Sequence, residues 1–156
     1  MTQSLEALLG RVPFLAGLPS DRTALLAGCA RNVHFDAGEL LFREGEPADV
    51  FYVVRHGDVA IETFVPARGA VVIETIGAGE ALGWSWLFPP YRWHFDARAL
   101  SGVRATSFDA ACLRDKCSAD PALGYELMGR FAQVLIERLQ WTRLRLLDVY
   151  GHGGDR

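Results

Sequence analysis

The chain has 156 residues, half of them hydrophobic, and a formal net charge of -3. That length makes one domain, or one domain and a long helix, with enough core to need no metal or disulfide staple. The acidic balance argues against a general binder of nucleic acid, which would normally be basic.

Residues 4–10, SLEALLG, read as a short amphipathic helix with Ser4 as N-cap and Gly10 at its end. Pro13 and Pro19 punctuate the approach to a second helix, which Ser20 precedes and which carries Leu25 and Leu26. Residues 4–32 are therefore expected to be a helical cap over a β core, with Val12, Phe14, Leu15 and Leu18 facing that core.

From Val33 the period changes to two. Strand-like runs are broken at Ala37-Gly38, Gly45-Glu46-Pro47 and His56-Gly57-Asp58, with a hairpin tip from Pro66 to Gly69. Turn signals about every eight to twelve residues predict a sandwich or small barrel over residues 33–113. Two last strands are expected around Ser101-Gly102.

The stretch from Gly77 to Leu100, GAGEALGWSWLFPPYRWHFDARAL, interrupts this pattern. Glycines tolerate positive φ and let N–H groups approach an anion. Glu80 could accept hydrogen bonds from a sugar hydroxyl, and Arg92 could offer a planar cationic fork to a phosphate. A helix starting near Ala81–Leu82 would add N–H donors. The order turn, acid, short helix, arginine and strand fits a sugar-phosphate pocket. It also fits, and on these residues alone fits better, a βα connection plugged by Trp84, Trp86 and Trp93.

In the last third, Asp120 is expected to cap a helix with Pro121 in its first turn, running from residue 118 to 150 before a frayed Gly151–Gly154 tail. Met128, Phe131, Leu135, Leu139, Thr142, Leu146 and Val149 form a heptad-like seam, flanked by Arg138 and Arg145. A second apolar line holds Leu123, Leu127, Val134, Leu144 and Leu147. The helix is expected to face its own barrel on one side and a second copy of the chain on the other.

Cys29, Cys112 and Cys117 make an odd count, and the C-x4-C spacing of the last two is no strong metal or redox motif. Reduced thiols in a cytoplasmic protein are the expectation. His34, His56, His94 and His152 share no ligand spacing, so no metal is expected. No run is long and apolar enough to span a bilayer, and no catalytic arrangement of nucleophile and base stands out.

The motif VHFDAGELLFREGEPADVFYVVRHGDVAIE, Val33 to Glu62, resembles the first jelly-roll strands of the cyclic-nucleotide-binding domain of the catabolite activator (Crp/Fnr) family, including its glycines at 38, 45 and 57. Gly79-Glu80-Ala81-Leu82 sits where that family's phosphate-binding cassette begins, and Arg138 to Thr142 resembles the stretch of its C-terminal helix that reaches the base. The resemblance implies a mainly β fold, a double-stranded β-helix (jelly-roll) with short N-terminal helices and a long C-terminal helix. It also implies a regulatory sensor, not an enzyme, taking cAMP or cGMP and dimerising through residues 121–149. On the same ground Glu80 would hold the ribose, Thr142 the base, and Arg143 would stand where relatives carry a small polar residue.

Two departures qualify it. The family's cassette ends in Arg-Ser/Ala-Ala-x-Val, whereas alignment back from Ala99 puts Trp93 at the arginine position, with Arg92 one residue early and His94 one residue late. The cassette is also longer. The DNA-binding relatives continue into a helix-turn-helix, which this sequence does not reach before Arg156, so a stand-alone module without direct nucleic-acid contact is expected. The alternative is a ligand-free interaction or dimerisation module that kept the fold and lost the pocket. The candidate ligand residues are Gly79, Glu80, Ala81, Leu82, Arg92, Trp93, His94, Thr142 and Arg143.

Overall fold

A computed structural model describes residues 13–83 and 85–154, with side chains to residue 148. The helix expected over residues 4–10, Val12, Trp84 and the side chain of Val149 lie outside the described residues.

A 3-10 turn, Pro13–Leu15, leads to α1 (Ser20–Ala27). Ser20 is the first residue of α1 and does not precede it, and the cap is Pro19 without a side-chain bond. Leu15 and Leu26 are buried, and Phe14 and Leu18 pack against the same cluster.

Eight strands follow: β1 (Ala30–Phe35), β2 (Leu40–Phe42), β3 (Val50–His56), β4 (Val59–Val65), β5 (Gly69–Ile76), β6 (Ala81–Leu82), β7 (Asp96–Ala99) and β8 (Val103–Asp109). They form two four-stranded sheets, ordered β1-β8-β3-β6 and β2-β7-β4-β5, with antiparallel pairing throughout. This is the expected jelly-roll. It begins at Ala30, ahead of the expected Val33, because Ala30 already pairs with Phe108.

Alternation survives in β7, where Ala97 and Ala99 are buried and Arg98 lies on the other face, bonded to Glu62 and to the Gly38 carbonyl. It is lost in β3, where Phe51 to Val54 are all buried. One face of β3 meets the helices through Phe51, whose ring touches Phe14, Trp86, Phe108 and Phe131, while Tyr52 on the other face meets Phe35.

The jelly-roll ends at Asp109, short of the expected residue 113. Asp109 accepts a hydrogen bond from the Cys112 N–H at 2.8 Å and so caps α2 (Ala110–Ala119). Asp120 then caps α3 (Pro121–Gly154) through the Leu123 N–H, as expected. The helix continues beyond residue 150 through the Gly-rich tail expected to fray. At about 1.5 Å per residue it is about 50 Å long, more than the barrel can cover. Leu123, Leu127 and Phe131 are buried in the core. Beyond them, Ile136, Leu139, Trp141, Leu144, Leu146 and Leu147 are exposed.

The cysteines depart from expectation. Cys29 and Cys112 are disulfide-bonded, with Cα atoms 5.6 Å apart, and only Cys117 is free. The partners lie 83 residues apart, and the pairing of β1 with β8 brings them together.

Gly57 shows where the fold has no slack. It turns the chain between β3 and β4 at φ +91°, and an added Cβ would lie 2.4 Å from the Gly102 carbonyl oxygen. Gly38 has φ +92° but open space around it. Gly38→Ala is expected to cost about 1–2 kcal/mol from backbone handedness alone. Gly57→Ala should cost about 3 kcal/mol, because backbone must move as well. Denaturant midpoints of the two variants check the order.

Candidate functional site

A groove of about 1330 Å³ lies between β5, the turn Gly79–Ala81, the Pro13–Phe14 corner and the exposed half of α3. Its floor is fixed by β3. The Gly79 N–H donates to the Val54 carbonyl at 2.7 Å, and the Val54 N–H donates to the Glu80 carbonyl at 3.0 Å. Gly79 has φ +89° and an added Cβ would meet Pro13 at 3.3 Å, so glycine is required there twice over. Its N–H, however, is already committed. Glu80, an exposed residue, accepts from the Gly77 N–H at 3.1 Å through Oε1.

Three arginines of α3 line the groove, and each donates to a backbone carbonyl of a different element. Arg130 reaches Phe14 at 2.8 Å and pairs with Glu126. Arg145 reaches Ile73 on β5 at 2.9 Å. Arg138, between them, donates to the Ala81 carbonyl and lies 3.4 Å from Glu74. Its side chain is 13% exposed. Burial lowers its pKa, while Glu74, Glu80 and Glu137 act to raise it. A largely buried guanidinium paired with Glu74 is thus the middle one of the groove's three arginine charges.

Of the residues singled out from sequence, Gly79, Glu80, Ala81 and Thr142 line the groove. Thr142 donates to the Arg138 carbonyl at 2.9 Å, within its own helix. Arg143 is exposed and not in the lining. Leu82 is buried and pairs with Tyr52; with Ala81 it forms β6, and the helix expected to begin there is replaced by a 3-10 turn at Ser85–Leu87.

Arg92, Trp93 and His94 are not in the lining either. The Trp93 N–H donates to the Glu46 carbonyl, and the Gly45 N–H to the Trp93 carbonyl. These bonds flank an isolated bridge between Arg92 and Pro47. Trp93 turns inward with Ala97 and Ala99, while Arg92 and His94 turn outward. The Trp93 ring stacks on Phe42 at 3.7 Å and lies against Gly83. Arg92 donates to the Gly45 carbonyl at 2.8 Å. Trp86, 2% exposed, stacks on Phe51 and meets Phe131 of α3 edge-on, so the cassette and the long helix share one ring cluster. Trp86 and Trp93 are plugs.

Arg130 is a groove residue not singled out from sequence, whereas Arg138 and Arg145 were expected to flank the seam, with Arg138 also opening the helix stretch expected to reach the base. Their spacing of eight and seven residues keeps them near one helix face, which was the available signal. The carbonyls that hold them were not readable, because they depend on tertiary placement.

A jelly-roll whose cassette turn and C-terminal helix enclose a groove defines a ligand-sensing domain of the cyclic-nucleotide type. The chain belongs to the cyclic nucleotide-binding domain family, whose profile matches residues 32–120. It is 28% identical over 145 residues to a CRP-like cAMP-activated global transcriptional regulator of Mycobacterium tuberculosis, covering 93% of this chain and 63% of that protein. The chain thus spans less than two thirds of that relative. The N-terminal domain of a transcriptional regulator from Streptomyces coelicolor A3(2) is 26% identical with a TM-score of 0.69, over 86% of this chain and 94% of that one. A cyclic nucleotide-binding domain from Methylobacillus flagellatus kt shares the fold, with a TM-score of 0.78 at 18% identity over 93% and 82% of the two chains. No helix among the described residues is long and apolar enough to cross a membrane.

Proposed function

We propose that this regulatory domain takes a cyclic nucleotide, cAMP or cGMP, in the groove between Gly79–Ala81 and α3, with Arg138 as the cation that meets the phosphate. The observation that carries the reading is Arg138 itself, largely buried in the groove within reach of the cassette turn. Glu80 supplies a carboxylate for ribose hydroxyls, and Thr142 and Trp141 present a hydroxyl and an aromatic face to a base.

Binding is weak in this reading. The ligand must draw Arg138 from Glu74 and Ala81, and no cassette arginine helps it. A missing charge-assisted phosphate contact costs about 1.5–3 kcal/mol, or about ten- to a hundredfold in affinity. Calorimetry with cAMP and cGMP should therefore give heats only at high ligand concentration. Arg138→Gln should abolish them, whereas Arg92→Ala should leave them unchanged.

The second reading is a dimerisation module that has lost its ligand. The Trp93–Phe42 stack, which occupies the family's arginine position, favours it. Silence up to millimolar nucleotide would select it.

In either reading the chain acts as a homodimer in the cytoplasm, without catalysis, metal or direct nucleic-acid contact. Phe131 cannot serve the seam, because it is buried in the protein's own core. Ala132 takes its place, since Met128, Ala132, Leu135, Leu139, Thr142 and Leu146 keep strict steps of four and three. Met128, Ala132, Leu139, Thr142 and Leu146 are exposed and Leu135 is half-buried.

A further inference from the structure

We infer that Cys29–Cys112 is an exchangeable thiol–disulfide site through which a dithiol reductant loosens the cassette loop. The inference is independent of which ligand, if any, enters the groove.

Helix α2 stands between the two. Cys112 in its first turn is tied to Cys29 at the start of β1. Arg114, two residues on and about 200° round the helix, faces the other way. Its Nη1 donates to the Trp86 carbonyl at 2.8 Å, and its guanidinium lies 4.6 Å from the centre of the Tyr91 ring. One side chain therefore grips the loop at both ends, at the 3-10 turn and just before the bridge of Arg92 with Pro47. Trp86 is in turn packed on Phe131 of α3. The chain of contacts runs from the disulfide through α2 and Arg114 to the cassette and the long helix.

The rest of the fold does not need the bond. The Asp109 N–H donates to the Cys29 carbonyl at 2.9 Å, the Ala110 N–H to the Asp49 carbonyl at 2.8 Å, and β1 pairs with β8 along its whole length. Reduction leaves these in place and frees only the side-chain tie on the first turn of α2.

The chemistry is reachable. Cys29 is 7% exposed, whereas Cys112 is half-buried and so the more open of the two residues. A dithiol's first thiolate attacks the Cys112 sulfur, a mixed disulfide forms, and the Cys29 sulfur leaves as thiolate and takes up a proton. The second thiol displaces the Cys112 sulfur, which is also protonated, and the reagent departs as its own disulfide. The pair gains two electrons and two protons in all. Lys116, one turn beyond Cys112, lies against Gly28 beside Cys29 and supplies a counter-charge for the departing thiolate.

The test uses the full chain carrying Cys117→Ser, so that only the pair titrates, before and after treatment with dithiothreitol. Thiol counting and intact mass should show the pair bonded without reductant and free with it. Hydrogen exchange over residues 85–93 should then quicken by about tenfold on reduction, with the β1–β8 amides unchanged, as for a local opening. Adding Arg114→Gln should make the loop exchange fast in both redox states. Equal loop protection in the two states overturns the inference. So does a pair that never oxidises, a uniform rise across the whole chain, or a redox response that survives Arg114→Gln.

Discussion

Leu139→Lys combined with Leu146→Lys is expected to convert a dimer at micromolar concentration into a monomer without unfolding it. Both side chains are exposed, at 51% and 53%, on a helix that extends past the barrel which holds its first three turns. They belong to the run Met128, Ala132, Leu135, Leu139, Thr142, Leu146, whose three-and-four steps put each residue on one seam. At a two-fold axis each lysine would face its own copy, so apolar contact is replaced by like-charge repulsion in two layers. Neither residue is in the buried cluster, so the monomer's own unfolding should change little. Leu147→Lys is the control. Leu147 is more exposed, at 67%, but one step off the seam, and its substitution should leave the dimer intact. Light scattering reads all three proteins. A wild-type chain already monomeric at micromolar concentration would remove the idea.

The same helix shows what sequence could and could not carry. Its start was legible because Asp120-Pro121 is a local signal, a cap and a first-turn proline in adjacent positions. The seam was legible as a period but not as a register. Phe131 and Ala132 are neighbours, and apolar size favoured the phenylalanine. Only the fold assigns it to the cluster with Phe14, Phe51 and Trp86. Helix α2 was missed for a related reason. Phe108 to Leu113 reads as a continuing apolar run, and the one break, Asp109, looks like a turn residue until its carboxylate is seen capping Cys112. The disulfide could not be read at all, since strand pairing alone joins residues 83 apart.

The site divides along the same line. The turn Gly79-Glu80 was readable because φ +89° and close approach to Pro13 are demands that a glycine announces. Arg92 was chosen because it is nearest in sequence to the family position. Proximity along a strand is misleading, however, since the period of two sends neighbours to opposite faces. The cations that reach the groove come instead from α3, and Arg138 among them is held by a carbonyl of β6.

Trp93→Arg, which would restore the family's residue in the aligned sequence, is expected to destabilise the protein and to confer no nucleotide binding. On sequence alone the substitution should create or strengthen a phosphate site. The surroundings argue otherwise. Trp93 is 4% exposed, stacked at 3.7 Å and 10° on Phe42, with its ring edge where a Gly83 side chain would be. Its backbone is held by two hydrogen bonds to Gly45 and Glu46, so the position cannot rotate outward without breaking them. An arginine there loses the ring contacts and puts a cation against Phe42, Gly83 and the buried alanines of β7. The lost ring and the unpaired charge together should cost about 4–5 kcal/mol, a large part of the stability of a domain this size. Trp93→Phe keeps an aromatic face on Phe42 and should cost less than half of that. Chemical denaturation of the two variants, with cAMP titrated into whichever remains folded, decides the matter. A folded Trp93→Arg protein that binds cAMP more tightly than wild type would mean that the cassette can open along the Phe42 face, and that the groove under α3 is only part of the pocket.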